Sequence, residues 1–571
     1  MAEADREALI AFEVEADARI EALPIGELPV RAFWTFYHCT VFLLLHGGEF
    51  RERGAWVTGD TLAGRMSYLL PWLRNRPTEP IGANGNDAFA AVTDYPGSAR
   101  QIADLSLYAH FCELMPDVHR RLLDVERSAE RAFRLVHPDA AQARAEATDI
   151  LVSELALNQN PLPENRRPDE EAFTLARDAP HWDMAVLVRL VRNLAVQYQA
   201  GMVEHPLVTD EGVMAVFGFD SPAYREVQAA LFAFADAIQQ VGTILCIWAV
   251  EDGQEDHEVM SEALEWMSVY WQGDVLIDIV AAVAGVDRDA VSRFVDAFTL
   301  DYDQPAPGWE GGEGYSPPFI RLAGSRLFSP DFIKRFAHAR NALVMLDRNN
   351  DPRFDNLISR DLEPVLLQEM REELENLANL TIVQNFNYDL GELDLVIVAP
   401  DETHVVIVEA KAPLPPQGVR ATARLAGRMR EGVRQIARFH ALPRARQLEY
   451  LRRATGLALL DPEIEFWLAG RACFGAREVW LPDALARPVT LPLLRLAVRE
   501  LNDDPLSLAQ LGPRLAALLE EMLQDLNWRW EHAPIVLFEQ ALETPQLLYD
   551  RDRAAAWRIR AGGPPGRGAA V

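Results

Sequence analysis

The chain has 571 residues, 49% hydrophobic and 25% charged, a globular composition rather than a disordered or membrane-embedded one. Its length exceeds what one hydrophobic core supports, so two or three domains are expected. A formal net charge of −31 argues against a protein that coats nucleic acid or anionic lipid through a broad positive field, while leaving room for a local basic site.

In chain order, the first 23 residues are acidic and amphipathic, with no basic segment leading into an apolar run, so no secretory signal is expected. Residues 1–302 read as an acidic, mostly helical region. Apolar residues recur at i, i+3, i+4 and i+7 over 183–200, 224–250 and 287–300, the spacing that builds one helical stripe. Breakers interrupt at 158–168 and 250–257. The most apolar stretches, Val41–Leu45 and Val241–Val250, are far shorter than the roughly 20 residues that span a bilayer, so a soluble, cytoplasmic protein with no membrane partner is expected. Cys39, Cys112, Cys246 and Cys473 are too scattered for a zinc site or a disulfide framework and read as small core hydrophobes. His38 and His46 read as core or boundary histidines, and the acidic run from Glu251 to Glu258 as a solvated loop. No phosphate-binding G-x-x-x-x-G-K-[ST] string occurs. Residues 303–350 open with a Pro- and Gly-rich stretch (303–318) that cannot continue a helix and reads as a linker, followed by a connecting helix.

Past Asp351 the pattern changes. A helix is predicted from about Leu362 to Leu377. Strands follow at Thr381–Asn387, Leu393–Val398 and Val405–Glu409, the last two joined by a tight turn at Pro400–Thr403. Helices at Val419–His440 and Ala445–Thr455 and a strand at Glu463–Ala469 complete an α-β-β-β-α-α-β order, which implies a mixed sheet covered by helices. Residues 351–475 are expected to form this core and 476–560 a helical extension, with helices at Leu491–Leu501 and Leu508–Leu526 and one strand-like run at Ile535–Phe538. Residues 561–571 are expected to be a disordered tail. The fold class is therefore mixed: a large, mostly α-helical region followed by an α/β domain.

The residues that carry chemistry lie on the predicted hairpin. Asp394 sits near the start of one strand, and Glu409 and Lys411 close the next on a shared face. Two carboxylates converging at neighbouring strand ends make a hard-oxygen site suited to Mg²⁺. An ammonium beside them can orient an attacking water and offset developing negative charge. Lys411 stands out for a second reason: of 55 basic residues, 53 are Arg and only Lys334 and Lys411 are Lys. A compact ammonium in a chain that otherwise writes Arg points to a need for that group at position 411.

Asp394 with Glu409-Ala410-Lys411 resembles the signature of the PD-(D/E)xK, or restriction-endonuclease-like, nuclease superfamily, over roughly residues 361–470. The resemblance implies an α-β-β-β-α-β core and Mg²⁺-dependent hydrolysis of phosphodiester bonds, Mn²⁺ being a possible substitute. It implies Asp394 and Glu409 as metal ligands, the Ala410 carbonyl as an auxiliary ligand and Lys411 as the water-positioning group. A glutamate on the first core helix is matched by Glu363, with Glu369, Glu372 and Glu373 as rivals. A Gln-x-x-x-aromatic on the next helix is matched by Gln435 and Phe439. The residue before Asp394 is Leu where the signature has Pro.

The helix after Lys411 is Arg-dense. Residues 420–453 hold ten Arg against Glu431 and Glu449, a local +8. At about 100° per residue, Arg420, Arg424, Arg428, Gln435 and Arg438 share one face, a candidate phosphate track, with a solvated face or a dock for acidic protein surface as the other readings. Gly427 and Gly432, costly in a helix interior, read as points of close backbone approach or of bending. The leading expectation is a DNA nuclease, RNA being the second substrate class. The acidic first 350 residues, net −25 against −6 for the rest, would be a sensor, regulatory or partner-binding module able to dock on the basic helix. The alternative is a non-cleaving nucleic-acid-binding or regulatory protein on the same fold, and a homo-oligomer is compatible with either.

Overall fold

The structure, a computed structural model, describes residues 2–24, 30–31, 33–34, 37–38, 40–41, 50–52, 55–57, 59–76, 98–129, 131–156, 169–178, 183–201, 207–251, 270–271, 273–303, 315–322, 325–348, 351–377, 379–412, 414, 418–501 and 508–562. Most of the expected linker, His46, Cys39, most of the acidic run after Glu251 and the tail beyond Gly562 lie outside them. The protein is mixed α/β. It divides into two compact units, one of residues 1–136, 162–354 and 532–544, the other of 137–161, 355–531 and 545–571.

The first unit is largely helical, as the periodicity predicts. Its longest helix, Ser221–Glu251, is buried along most of its length, from Tyr224 to Ile244. By length and composition Ser221–Trp248 could cross a membrane, which corrects the expectation that no apolar stretch comes near that length. With 72% of its apolar window buried inside the protein, it is placed as a core helix. An aromatic cluster of Phe217, Phe219, Tyr224, Phe294 and Phe298 packs beside it at ring separations of 5.1 to 6.3 Å. His38 is buried between Trp34 and Phe332, and burial pushes its imidazole down to about 3, so it is a neutral core histidine.

The unit also contains strands that the sequence does not announce. Asp124–Ala129 and Ala132–Val136 form a hairpin, and Ala132 pairs in parallel with Ala541, about 400 residues away. The strands that lie wholly in this unit are two to six residues long, too short for a period-2 pattern to outweigh the surrounding helical signal.

The second unit holds the predicted α/β elements together with three the sequence did not announce, α1, β5 and α7. In chain order they are α1 (Ala140–Ala156), α2 (Glu363–Leu374), β1 (Thr381–Tyr388), β2 (Gly391–Val398), β3 (His404–Lys411), α3 (Val419–His440), α4 (Arg444–Thr455), β4 (Glu463–Gly470), β5 (Arg487–Thr490), α5 (Leu491–Leu501), α6 (Leu508–Asp525) and α7 (Arg551–Arg560). The sheet order is β5-β4-β3-β2-β1. β1, β2 and β3 run antiparallel as a meander, while β3, β4 and β5 are parallel, and the β3-to-β4 return uses α3 and α4 as a parallel pair requires. All eight residues of β3 are buried, which explains its unbroken Val-Val-Ile-Val run. Leu425, Met429, Ile436 and Phe439 of α3 pack onto Val396, Val405, Ile407 and Leu468. Leu366, Leu367, Met370 and Leu374 form the buried stripe of α2, which packs on β3. The segment expected to be a helical extension also supplies β5 and the strands Arg529–Leu537 and Gln540–Leu548.

Helix α1 comes from far upstream, and one side chain ties it to this unit. The Asp149 carboxylate accepts the backbone N–H of Phe474 at 2.8 Å and of Gly475 at 2.7 Å, and the Trp480 indole N–H at 2.9 Å. Truncation to Asp149→Ala strands three donors, at a cost of about 2–4 kcal/mol. Thermal unfolding followed by circular dichroism should show a lower Tm for Asp149→Ala, with Asp149→Asn in between; an unchanged Tm would refute this role.

Candidate active site

The site forms where β2 and β3 end their pairing. Leu395 lies opposite Val408, so one step along the strands Asp394 stands opposite Glu409. Alternation keeps Glu409 and Lys411 on one face, under α3. The helix comes this close because residue 432 has no side chain. A Cβ there would meet Leu468 Cδ1 at 2.8 Å and both Glu409 Cγ and Lys411 Cγ at 3.4 Å. Around Gly427, by contrast, a Cβ would meet nothing within 4 Å, so of the two glycines it is Gly432 that serves close approach.

Two hydrogen bonds organise the charged groups. Lys411 Nζ donates to Glu409 Oε1 at 2.7 Å, and the Ala410 N–H donates to Asp394 Oδ2 at 2.7 Å. That leaves Glu409 Oε2 and Asp394 Oδ1 without a hydrogen bond among the described residues. Glu363 joins them from the first turn of α2, where Lys411, Asp394, Arg428 and Glu431 all act on its carboxyl. The rival glutamates point elsewhere: Glu369 pairs with Arg471 at 2.8 Å, Glu373 with Arg495 at 2.8 Å, and Glu372 accepts from Gln368.

Three carboxyls thus surround one ammonium in a largely buried setting, and their proton affinities show the imbalance. Burial pushes the Glu409 carboxyl up to about 8; Asp394 and Glu363 add to the rise and Lys411 opposes it. Asp394 is raised chiefly by burial, against Lys411 and the Ala410 N–H, and Glu363 is raised mainly by burial too. Burial works against the Lys411 ammonium, but Glu409, Asp394 and Glu363 together outweigh it and hold it above its ordinary value.

Among the described residues no group of three or more His, Cys, Asp or Glu side chains stands ready to hold a metal ion. Lys411 already takes one oxygen of Glu409 and a backbone amide takes one of Asp394. The donor chemistry nonetheless fits a hard divalent cation: the free oxygens belong to largely buried carboxyls of raised proton affinity, that of Glu409 in part through Asp394, which an added positive charge would relieve. Gln435, one turn beyond Gly432 on α3, presents a buried Oε1 with no hydrogen-bond partner. Ala410 is buried between Glu409 and Lys411 and lies opposite Ala469 of β4.

The Arg-dense segment divides by pairing. Arg430 pairs with Glu478, Arg444 with Asp461 and Arg446 with Glu449, while Arg452 donates to the carbonyls of Ala458 and Leu459 and Arg453 lies over the Tyr450 ring. Arg428, Arg434 and Arg438 have no ion pair or hydrogen bond among the described residues. The free cationic surface is therefore narrower than a +8 count suggests. Arg424 is exposed on the same helix, and the side chain of Arg420 lies outside the described residues. Arg434 was not on the face singled out from sequence; its lack of a partner is a tertiary property with no sequence signal. Together with Glu431, Ala437 and Ala441, Arg434 and Arg438 line a shallow depression of about 550 Å³.

Comparison with protein-family models, curated proteins and solved structures finds no match to the chain.

The raised Glu409 carboxyl fixes a sign for pH dependence. A carboxyl whose folded pKa lies above its unfolded value contributes most to stability below about 4.5, and that contribution is lost as pH rises through about 8. Glu409→Gln, which keeps the neutral shape, should therefore raise Tm relative to the parent at pH 8.5, with the gain shrinking toward pH 5. A gain that grew on acidification, or none at pH 8.5, would contradict the charge crowding.

Proposed function

We propose that the second unit is a metal-dependent nuclease that hydrolyses phosphodiester bonds of DNA, with RNA as the second substrate class. One observation carries the reading: Asp394, Glu409, Glu363 and Lys411, drawn from two strands and a helix, meet as a buried, negatively unbalanced cluster beside a helix with unpaired arginines. The order α2-β1-β2-β3-α3-α4-β4 supports the resemblance to the PD-(D/E)xK superfamily.

In this reading Asp394 and Glu409, with the Ala410 carbonyl, would hold Mg²⁺ or Mn²⁺, which when bound supplies Lewis-acid stabilisation of phosphoryl charge and a more acidic water. Lys411 positions the attacking water and offsets negative charge developing on the phosphate. Glu363 accepts a proton or a hydrogen bond from water on the open side of the cluster. Gln435 Oε1 supplies an acceptor for the water or the nucleotide. Arg428, Arg434 and Arg438 hold flanking phosphates, and Arg424 and Arg420 extend that track toward the start of α3. The first unit, acidic as a region, is proposed as a sensor or partner-binding module.

The decisive measurement is a cleavage panel of plasmid, linear duplex, single-stranded DNA and RNA with Mg²⁺ or Mn²⁺. Asp394→Ala and Lys411→Ala should each lower cleavage by about a hundredfold or more while leaving the circular dichroism spectrum unchanged. Binding of nucleic acid without cleavage by the parent protein would instead select the non-cleaving alternative. The arginine assignment has its own signature. Arg438→Ala or Arg434→Ala should reduce the slope of log affinity against log salt by about 1, while Arg446→Ala, already paired with Glu449, should leave it nearly unchanged. Equal slopes for all three variants would remove these arginines from the phosphate track.

A further inference from the structure

The β1–β2 hairpin changes face at a single rung, and that rung holds Asp394. Pairing is regular on both sides: Gln384 faces Leu395 and Val383 faces Val396 before it, Phe386 faces Leu393 and Asn387 faces Glu392 after it. Between them the pair Asn385 and Asp394 is missing from the ladder. Asn385 has φ of 57°, a left-handed backbone that only glycine adopts without cost and that asparagine tolerates better than other residues.

The side chains record what this does. Strict alternation would set Val383 on one face and Phe386 and Tyr388 on the other, yet all three pack against the same apolar cluster. On β2, Leu393 likewise joins Val396 and Val398 in that cluster. The hairpin has rolled by one face, so that Tyr388 meets Phe439 and Tyr450 at ring separations of 5.5 and 5.3 Å. The β2–β3 ladder ends at Leu395 and Val408, next to the same rung, and the Ala410 N–H beyond it goes to the Asp394 carboxylate. Asn385 itself is exposed, and no side-chain hydrogen bond or ion pair among the described residues accounts for its conformation.

We propose that Asn385 is a positioning residue: its left-handed backbone rolls the hairpin at the Asn385–Asp394 rung, and the roll directs the Asp394 carboxylate onto the Ala410 N–H and into the charged cluster. The structural part stands alone; only its consequence for hydrolysis rests on the nuclease reading.

The test compares Asn385→Gly, which takes a positive φ freely, with Asn385→Val, whose branched side chain resists it. In the full chain without metal, peptide-resolved hydrogen exchange should find the Ala410 amide about tenfold less protected in Asn385→Val and within about threefold of the parent in Asn385→Gly. Mn²⁺ affinity by calorimetry, and kcat rather than KM for cleavage, should follow the same order. A valine variant that protects Ala410 as the parent does, or a glycine variant as impaired as the valine one, would overturn the proposal. If the valine variant does not fold, Asn385→Ala against Asn385→Gly decides on the same readouts. A parent that cuts nothing while Ala410 protection keeps the glycine-over-valine order removes the nuclease reading and leaves the positioning role in place.

Discussion

Three carboxyls share one ammonium in a largely buried cluster where β2 and β3 end their pairing, and much of the second unit is arranged around that imbalance. Removing charge from water is costly, so such a cluster persists only where the surrounding fold over-determines it. Several features supply the constraint. The hydrogen bond from Ala410 to Asp394 and the Lys411–Glu409 pair each satisfy one oxygen. Gly432 lets α3 settle over both side chains, closing them off from solvent. The helical run that passes through the π-helical turn Ile358–Leu362 into α2 delivers Glu363 to the cluster.

The same cluster gives meaning to the chain's sparing use of lysine. A guanidinium at position 411 would present a broad fork where the space under Gly432 admits a compact head group. Lys334, the other lysine, is also buried, with Asp331 at 4.0 Å and the Gln239 side-chain oxygen as hydrogen-bond partner. Both lysines of this chain therefore have little exposed side-chain surface and sit beside a carboxylate; a few arginines, Arg6, Arg340 and Arg558, are buried too.

Much of the second unit was legible in the sequence. Short β-branched runs at Leu393–Val398 and Val405–Glu409 announced two strands, and the actual elements differ from those limits by at most two residues. Helix α3 spans the residues read from its 3.6 periodicity, and the choice of Glu363 over its neighbours followed from the apolar stripe it shares with Leu366, Leu367 and Met370. Local spacing is enough there because each side chain's face is set by the period of its own element. The short strands of the first unit were not legible, because a three-residue strand carries almost no period of its own. Nor was the capture of α1 by the second unit, which hinges on Asp149 meeting amides more than 320 residues away.

The sequence by itself determined the element order from α2 to β4, the placing of Asp394 and of Glu409 and Lys411 on adjoining strands, and the density of arginine on the helix that follows. These are properties of residue type and spacing. Only the tertiary structure decided which arginines stay unpaired, which of the two α3 glycines admits close contact, and that the hairpin rolls at Asn385. Each of those depends on what lies across a gap in space, at Glu478, at Leu468 or at the Asp394 rung, and a linear pattern holds no record of distances between segments that meet only on folding.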